Sequence, residues 1–387
     1  MTNPADTLPR SSTTTGEGGN GLQWLAVIGC IYLLICAVSL IGGGFKMAVG
    51  GHASQLFTFA SNPFVGLMIG IVATALIQSS STVSSLIVGM VAGGLPVTIA
   101  IPMIMGANVG TTLTNTLVSL GHVRSKEEFR RAFSAATVHD FFNLLAILIF
   151  LPLEMMFGLL NHISGALSTL LVGGGSYSIS GANFMSMATQ PVVGTLKSIT
   201  TMLPGMLAGL ATIIIGLALI FLSIRYIGSL LKHLMIGRAK AILHSAIGRG
   251  PLAGIGSGTL VTMLVQSSST TTSLMVPLAG SGAFTLRQVY PFMLGANIGT
   301  TITALLAATA VSGAVAVYAL QIALVHVLFN VFAVLLIFGI PFLRNLPLWG
   351  AEWLASLAAE RKLFAALWVL GVFLVLPMLL IGITIIM

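Results

Sequence analysis

Three blocks of this sequence occur twice, in the same order and at a nearly constant offset. Residues 78–94 read QSSSTVSSLIVGMVAGG, and residues 266–282 read QSSSTTTSLMVPLAGSG. PMIMGANVGTTLTN, from Pro102 to Asn115, returns as PFMLGANIGTTITA from Pro291 to Ala304. HDFFNLLA, from His139 to Ala146, returns as HVLFNVFA from His326 to Ala333. Conserved order and spacing mark an internal duplication, whose physical meaning is two like units that bury their faces together. The repeats run over 62–152 and 250–341.

The medium that surrounds them follows from charge. Of 387 residues, 56% are hydrophobic and 6% are charged, whereas a soluble domain carries about 25% charged residues. Several apolar runs reach the ~20 residues that cross a bilayer as a helix. The chain is therefore expected to sit in lipid. Its first 22 residues, rich in Ser, Thr, Gly and Pro, read as a disordered tail. They lack the basic segment of a signal peptide directly before the apolar run, so Trp24 to Leu40 reads as a retained first helix. Cys30 and Cys36 both lie in that run, too few for a disulfide framework, and carry no assigned role.

Basic residues gather in two places, Arg124, Lys126, Arg130 and Arg131, and then Arg225, Lys232, Arg238, Lys240 and Arg249. In a membrane protein such clusters mark cytoplasmic loops. Neither lies in a soluble domain, which argues against a nucleic-acid partner. With the N-terminal tail inside, repeat one starts outside and its basic internal loop (GHVRSKEEFRR) is inside. The apolar run from Met202 to Ile224 returns the chain to the basic stretch 225–249. Repeat two then starts inside, and its equivalent loop (ATAVSGA) is uncharged and outside. The two halves therefore read as inverted, a recurrent transporter plan with the site between repeats.

The expected architecture is an all-α polytopic membrane protein with two inverted-topology repeats, re-entrant helical hairpins and broken transmembrane helices. Pro63–Gly94 and Pro251–Gly282 read as hairpins, because QSSS divides each into flanks of ~12–15 residues, too short to span. The GAN-x-GTT blocks are expected to unwind the next span at their paired glycines. Segment 23–61 holds the first helix and an external connection. Segment 153–249 joins the halves through an external stretch less regular and less apolar than its surroundings and then a cytoplasmic basic stretch. Segment 342–387 holds an interfacial helix and a last transmembrane helix, whose parity leaves the C-terminus outside.

A single serine in such a helix usually serves close packing. Gln plus three hydroxyls at the same place in two halves goes beyond that need. Opposed tips near the midplane would present helix N-termini with unpaired N–H groups, which suit a tetrahedral oxyanion. Serine hydroxyls rotate to add donors. Gln and Thr oxygens and unwound backbone carbonyls suit Na⁺. A cation beside the anion offsets the cost of burying its charge, so coupling needs no arginine in the site.

Of eight acidic residues, only Asp140 lies within an apolar span. It reads either as a sodium ligand specific to repeat one, whose counterpart is Val327, or as a helix-end carboxylate paired with Arg130 or Arg131. His139 with Asn143, and His326 with Asn330, share a helix face at i, i+4. Interhelical hydrogen bonding is favoured for them over a proton relay. No phosphate-binding loop, nucleophile elbow or His/Cys metal cluster supports an enzyme.

With these residues in hand, the chain resembles the type II sodium–phosphate cotransporter family. The resemblance covers most of 60–385 and rests on both QSSS blocks, GANVGTTLTN, GANIGTTITA and FRRAFSAATVHDFFN with LPLE after it. It implies sodium-driven phosphate import, with no cofactor beyond Na⁺ as coupling ion. It implies Ser79, Ser80, Ser81, Ser267, Ser268 and Ser269 as phosphate ligands. Gln78, Gln266, Thr300 and Thr303 are implied as sodium ligands, and Asn108, Thr111 and Asn297 of the GAN-x-GTT blocks join them as candidates. An A-x-A-x-x-x-D pattern that holds an additional sodium in electrogenic members corresponds here to Ser134, Ala136 and Asp140, with Ser for the first Ala. Three Na⁺ per divalent phosphate is the implied stoichiometry. The large cysteine-containing loop and long tails of animal members are missing, so the chain reads as a compact bacterial member in the cytoplasmic membrane. Lipid and a second copy of the chain are its other expected partners. A carrier of sulfate or a dicarboxylate, and an anion channel, stand as alternatives.

Overall fold

The structure is a computed structural model that describes residues 18–49, 62–173, 179–246, 249–379 and 382. The start of the expected tail, the connection over 50–61 and the end of the expected last helix lie outside the described residues. Among the described residues there is helix and no strand. Six helical segments among the described residues are long and apolar enough to cross a membrane, from Gly21–Val49 to Gly313–Phe338.

Helix α1 (Gly18–Val49) leads to the first hairpin, formed by α2 (Pro63–Ile77) and α3 (Ser80–Ala92). Asn62 caps α2 by accepting from the Phe64 N–H at 3.0 Å, and Pro63 stands in the first turn, where its missing N–H costs nothing. Next come α4 (Val97–Gly110) and α5 (Leu113–Ser119), separated at Thr111–Thr112. Long helix α6 (Lys126–Phe157) follows. It ends at Gly158, whose φ of +56° suits a residue without Cβ. The Glu154 carboxylate then accepts from the N–H groups of Leu160 (2.6 Å) and Asn161 (3.3 Å), capping α7 (Leu159–Gly173).

Helix α8 (Ile179–Thr200) makes the connection between halves more regular than expected. Its hydroxyls do not break it, because Thr195 and Ser198 donate to carbonyls of their own helix, Pro191 (2.7 Å) and Thr195 (2.8 Å). Helix α9 (Gly205–Ala246) leads to the second hairpin, α10 (Pro251–Val265), α11 (Ser268–Ser273) and α12 (Met275–Gly280). The α11/α12 division precedes Pro277, which lacks the N–H that would bond to Ser273. Then come α13 (Leu286–Ala308), α14 (Ala316–Ala333), α15 (Pro341–Glu360) and α16 (Leu363–Leu370). A 15-residue helix precedes each glutamine; one helix follows the first, and two short helices follow the second.

The expectation for the GAN-x-GTT blocks divides. The first is broken, into α4 and α5, but the second runs unbroken through the 23 residues of α13. Its glycines serve backbone contact rather than unwinding. A Cβ on Gly295 would lie 1.9 Å from the Ile255 carbonyl oxygen, and one on Gly258 would lie 2.0 Å from that of Phe292. Repeat one does the same with Gly106 against Leu67 (2.0 Å) and Gly70 against Met103 (2.1 Å). Each hairpin's first helix is thereby pressed backbone to backbone on its GAN helix, as small residues allow where lipid gives helices no hydrophobic drive to associate. These GAN helices lie in the two most buried spans, with 78% of the apolar window inside in each.

Helices α1 and α9, which lead into the two repeats, run antiparallel and pack reciprocally. Gly44 faces the Gly209 carbonyl and Ile213, while Gly216 faces the Ala37 carbonyl and Ile41. At the other end of the fold, Gly350 of α15 lies against the Phe141 ring of α6.

Gly295→Ala is expected to lower thermal stability in detergent by about 1–3 kcal/mol, the usual cost of overpacking. Gly121→Ala, where a Cβ meets nothing within 4 Å, should leave the melting midpoint unchanged. Equal midpoints for the two variants would contradict the packing role.

Candidate functional site

Both hairpins turn on a glutamine. Gln78 (φ 58°, ψ 27°) and Gln266 (φ 54°, ψ 27°) are the two non-glycine residues with positive φ among the described residues. A left-handed L-residue costs roughly 1–2 kcal/mol, and glycine is the usual choice at a helix C-terminus. Glutamine at both turns therefore points to a use for its side chain. Each amide nitrogen donates back into its own helix, from Gln78 to the Ala75 carbonyl and from Gln266 to that of Met263. That aims each Oε1 outward, to accept from Thr114 (2.7 Å) and from Thr303 (3.2 Å) respectively.

The residue after each glutamine is extended and caps the next helix. Ser79 Oγ accepts from the Thr82 N–H and pairs with the Thr82 hydroxyl, and Ser267 does the same with Thr270. The N–H groups of Ser80 and Ser81 stand in the first turn of α3, where a helix has no partner to offer them. The two tips face one cavity of about 580 Å³, lined by Gln78 to Thr82, Gln266 to Thr270 and part of α9. All six serines expected as anion ligands therefore share one space. The first tip also reaches the other repeat directly, since the Thr303 hydroxyl of α13 lies 3.4 Å from Ser81 Oγ. Helix α9 adds Arg225 to the lining. Sequence reading placed Arg225 in a basic loop, but it belongs to a helical wall.

Three residues escaped the sequence reading. Thr114 is the counterpart of Thr303, and alignment of the repeats alone would have found it. Thr74 and Thr262 each stand four residues before a glutamine, and each has a buried hydroxyl with no partner among the described residues. They lie against Gly110 and Gly299 of the GTT blocks. Thr111 and Thr300, the next residues, donate to their own helix at Ala107 (3.0 Å) and Ala296 (2.8 Å). In each repeat, oxygens thus gather between the tip and the GTT block.

Asn108 and Asn297 do not join that cluster. They are the grips of a crossed network between halves. On α13, Asn297 Oδ1 accepts from His139 Nε2 of α6 (2.6 Å), and its amide donates to Asn143 (2.8 Å). On α4, Asn108 Oδ1 accepts from His326 Nε2 of α14 (3.1 Å), and its amide donates to Asn330 (2.7 Å). Each H-x-x-x-N pair of one repeat therefore holds the asparagine of the other. Interhelical hydrogen bonding, the favoured reading of these pairs, is what the geometry gives, and it uses both amide groups that sodium ligation by Asn108 and Asn297 would need.

Asp140 is fully buried. It pairs with neither Arg130, which binds Glu127 at 3.0 Å, nor Arg131, which donates to the Gly280 carbonyl at 2.9 Å. Instead its Oδ2 accepts from the Trp368 indole at 2.8 Å, and Oδ1 makes no hydrogen bond among the described residues, although the Thr112 hydroxyl stands near the carboxylate. Ser134 is not beside it. Six helical residues place the two about 120° apart around α6, and Ser134 lines a cavity with Arg130 and Arg131 that does not include Asp140.

Polar groups gathered at two hairpin tips inside an apolar helical body define a multi-pass membrane transport protein. The model of the Na⁺/Pi-cotransporter family matches residues 33–229 and again 219–344. The sodium-dependent phosphate transport protein 2A of Rattus norvegicus is 33% identical over 446 residues, covering 97% of this chain and 70% of its own length. The protein 2B of Homo sapiens is 32% identical over 458 residues, covering 93% and 65%. No solved structure matches. This chain belongs to the Na⁺/Pi-cotransporter family, whose named relatives are transporters and not enzymes.

Asn297→Leu would leave the His139 N–H and the Asn143 carbonyl unpaired in the core, at about 1–3 kcal/mol for each orphan. The expected result is a markedly lower melting midpoint in detergent, and an unchanged midpoint would remove the network from its structural role.

Proposed function

We propose that this chain imports inorganic phosphate, driven by sodium, through alternating access between two inverted repeats. The observation that carries the reading is the single cavity into which both glutamine–serine tips open. Relatives in the family are named sodium-dependent phosphate transport proteins. The antiparallel approach of α1 and α9 to their repeats, and the doubled match of the family model, support the inverted duplication.

The roles divide by chemistry. Serine hydroxyls and the first N–H groups of α3 and α11 donate hydrogen bonds, which suits phosphate oxygens. Ser80, Ser81, Ser268 and Ser269 carry most of this, because Ser79 and Ser267 are engaged as helix caps. Acceptor oxygens suit Na⁺. Gln78 Oε1 with Thr114, Thr74 and Thr111 forms one set, and Gln266 Oε1 with Thr303, Thr262 and Thr300 forms the other. Cations there lie beside the anion and offset the cost of burying its charge.

Asp140 makes the halves unequal. Its unpartnered Oδ1 is a buried carboxylate oxygen, with Val327 at the matching place in repeat two. A third Na⁺ bound there makes transport electrogenic, with three Na⁺ accompanying a divalent phosphate and one net positive charge moving inward. The setting is the cytoplasmic membrane of a bacterium.

Uptake of ³²P-phosphate into vesicles tests the reading. Accumulation should require an inward sodium gradient. Uptake indifferent to sodium would end the proposal, sulfate competing as well as phosphate would favour another anion, and flux that never exceeds equilibrium would favour a channel. Asp140→Gly should abolish the transport current while phosphate uptake persists, and current at the original charge per phosphate would contradict the third site. Ser80→Ala and Ser268→Ala should each raise the phosphate KM roughly 10–100-fold, the worth of about one hydrogen bond to an anion. Unchanged KM in both would detach the tips from the substrate.

A further inference from the structure

A second cavity, of about 590 Å³, lies apart from the hairpin tips, between α6, α15 and the turn that leads from the second hairpin into α13. Its charged groups are Arg130 and Arg131 of α6 and Glu352 of α15. Arg131 donates from Nε to the Gly280 carbonyl at 2.9 Å. That bond fixes the guanidinium at the cavity wall and leaves its two terminal nitrogens without an acceptor among the described residues. Arg130 binds Glu127 at the surface (3.0 Å), and an exposed pair of that kind is weak. Glu352 takes part in none of the three ion pairs found among the described residues. Two arginines and a glutamate thus face one cavity without pairing across it.

The depth of this cavity follows from its neighbours. At the start of α15, Leu346 and Pro347 line an apolar groove with Leu144, Leu145 and Leu148 of α6, and Leu148 is 72% exposed, as a lipid-facing side chain is. At the other end of α15, Glu360 faces Lys126 at 4.0 Å, in the basic cluster that marks the cytoplasmic side. Trp349 and Trp353 stand between those ends, 51% and 62% exposed. Exposed tryptophans between an apolar zone and a charged one mark the headgroup level of a bilayer. Trp349, Glu352, Trp353 and Ser356 share the face of α15 that borders the cavity, while Ala351, Ala355 and Ala358 pack inward.

We propose that this cavity binds the headgroup of a zwitterionic phospholipid of the cytoplasmic leaflet, with its phosphate toward Arg130 and Arg131 and its amine toward Glu352. A guanidinium holds two phosphate oxygens at once, and basic pockets between helices on the cytoplasmic side suit lipid phosphates. The ammonium of the same headgroup donates to the Glu352 carboxylate, and the tryptophans border the glycerol and the first methylenes. An anionic lipid without an amine would set its charge against Glu352. A free phosphate would satisfy the arginines but leave the carboxylate unpaired and the tryptophans in water. Bound there, the headgroup bridges α6 to α15.

The test uses the full chain in detergent, with binding of phosphatidylethanolamine and of phosphatidylglycerol of the same acyl length read by native mass spectrometry. The wild type should bind phosphatidylethanolamine roughly 10-fold more tightly or better, since phosphatidylglycerol offers the phosphate without the amine. Arg131→Gln should weaken both lipids, each by roughly 10–100-fold, the worth of a charged hydrogen bond. Glu352→Gln should weaken phosphatidylethanolamine alone and so erase the preference, and its retained binding of phosphatidylglycerol shows that this variant is folded. Excess inorganic phosphate should not displace the lipid. Equal binding of the two lipids by the wild type, or a preference that survives in Glu352→Gln, would overturn the proposal. Displacement by inorganic phosphate would overturn it too, in favour of a site for soluble anions.

Discussion

The left-handed glutamine at each hairpin tip is the constraint on which the site depends. A helix that stops at membrane depth leaves carbonyls and N–H groups where no water reaches them. Here the glutamine N–H closes the outgoing helix on Thr74 or Thr262 (2.8 and 2.7 Å), and the next serine caps the returning one. Glycine could make the same turn with less strain, but it would leave no amide oxygen at the tip. The backbone reversal and the amide oxygen presented at the tip are therefore one feature. The side chain that ties itself to its own helix also aims its carbonyl at the GTT block.

The halves are joined by a different device. Hydrocarbon surfaces do little to register helices surrounded by lipid tails, so the specific alignment of α6 on α13 and of α14 on α4 falls to polar contacts. Two histidines and four asparagines supply them in a crossed pattern. Their amides are paired because an orphan there would have no solvent to turn to. Glycine contacts hold each hairpin to its own GAN helix, and the network holds each GAN helix to the other repeat. Together they bring the tips to a common cavity.

Symmetry is broken where charge enters. Asp140 has no acidic counterpart in repeat two, and its indole partner, Trp368, comes from the terminal segment outside both repeats. Arg225 likewise belongs to a connecting helix. The duplicated core supplies neutral oxygens and hydroxyls, and the non-duplicated helices bring in or hold the charged groups. A carrier that couples an anion to cations needs both, because the neutral pocket recognises shape and donors while charge sets ion number and direction.

Much of this was legible without coordinates. The doubled blocks revealed the hairpins, the serine set and the His–Asn pairs, because residue identity at matching places needs only alignment of the chain with itself. The charge content assigned the chain to lipid. Other features depended on through-space neighbours that sequence does not encode locally. GAN glycines read equally as hinges or as contact points, and only the carbonyls of Leu67 and Ile255 against them decided for contact. Asn108 and Asn297 carry amides fit for sodium, and only the histidines facing them showed those groups already used. Arg225 looked like a loop charge until α9 proved to continue past the tips. Composition and repetition determined which chemistry was present, since those are properties of the chain. Tertiary structure decided which oxygens were left unpaired, since that depends on what the fold packs beside them.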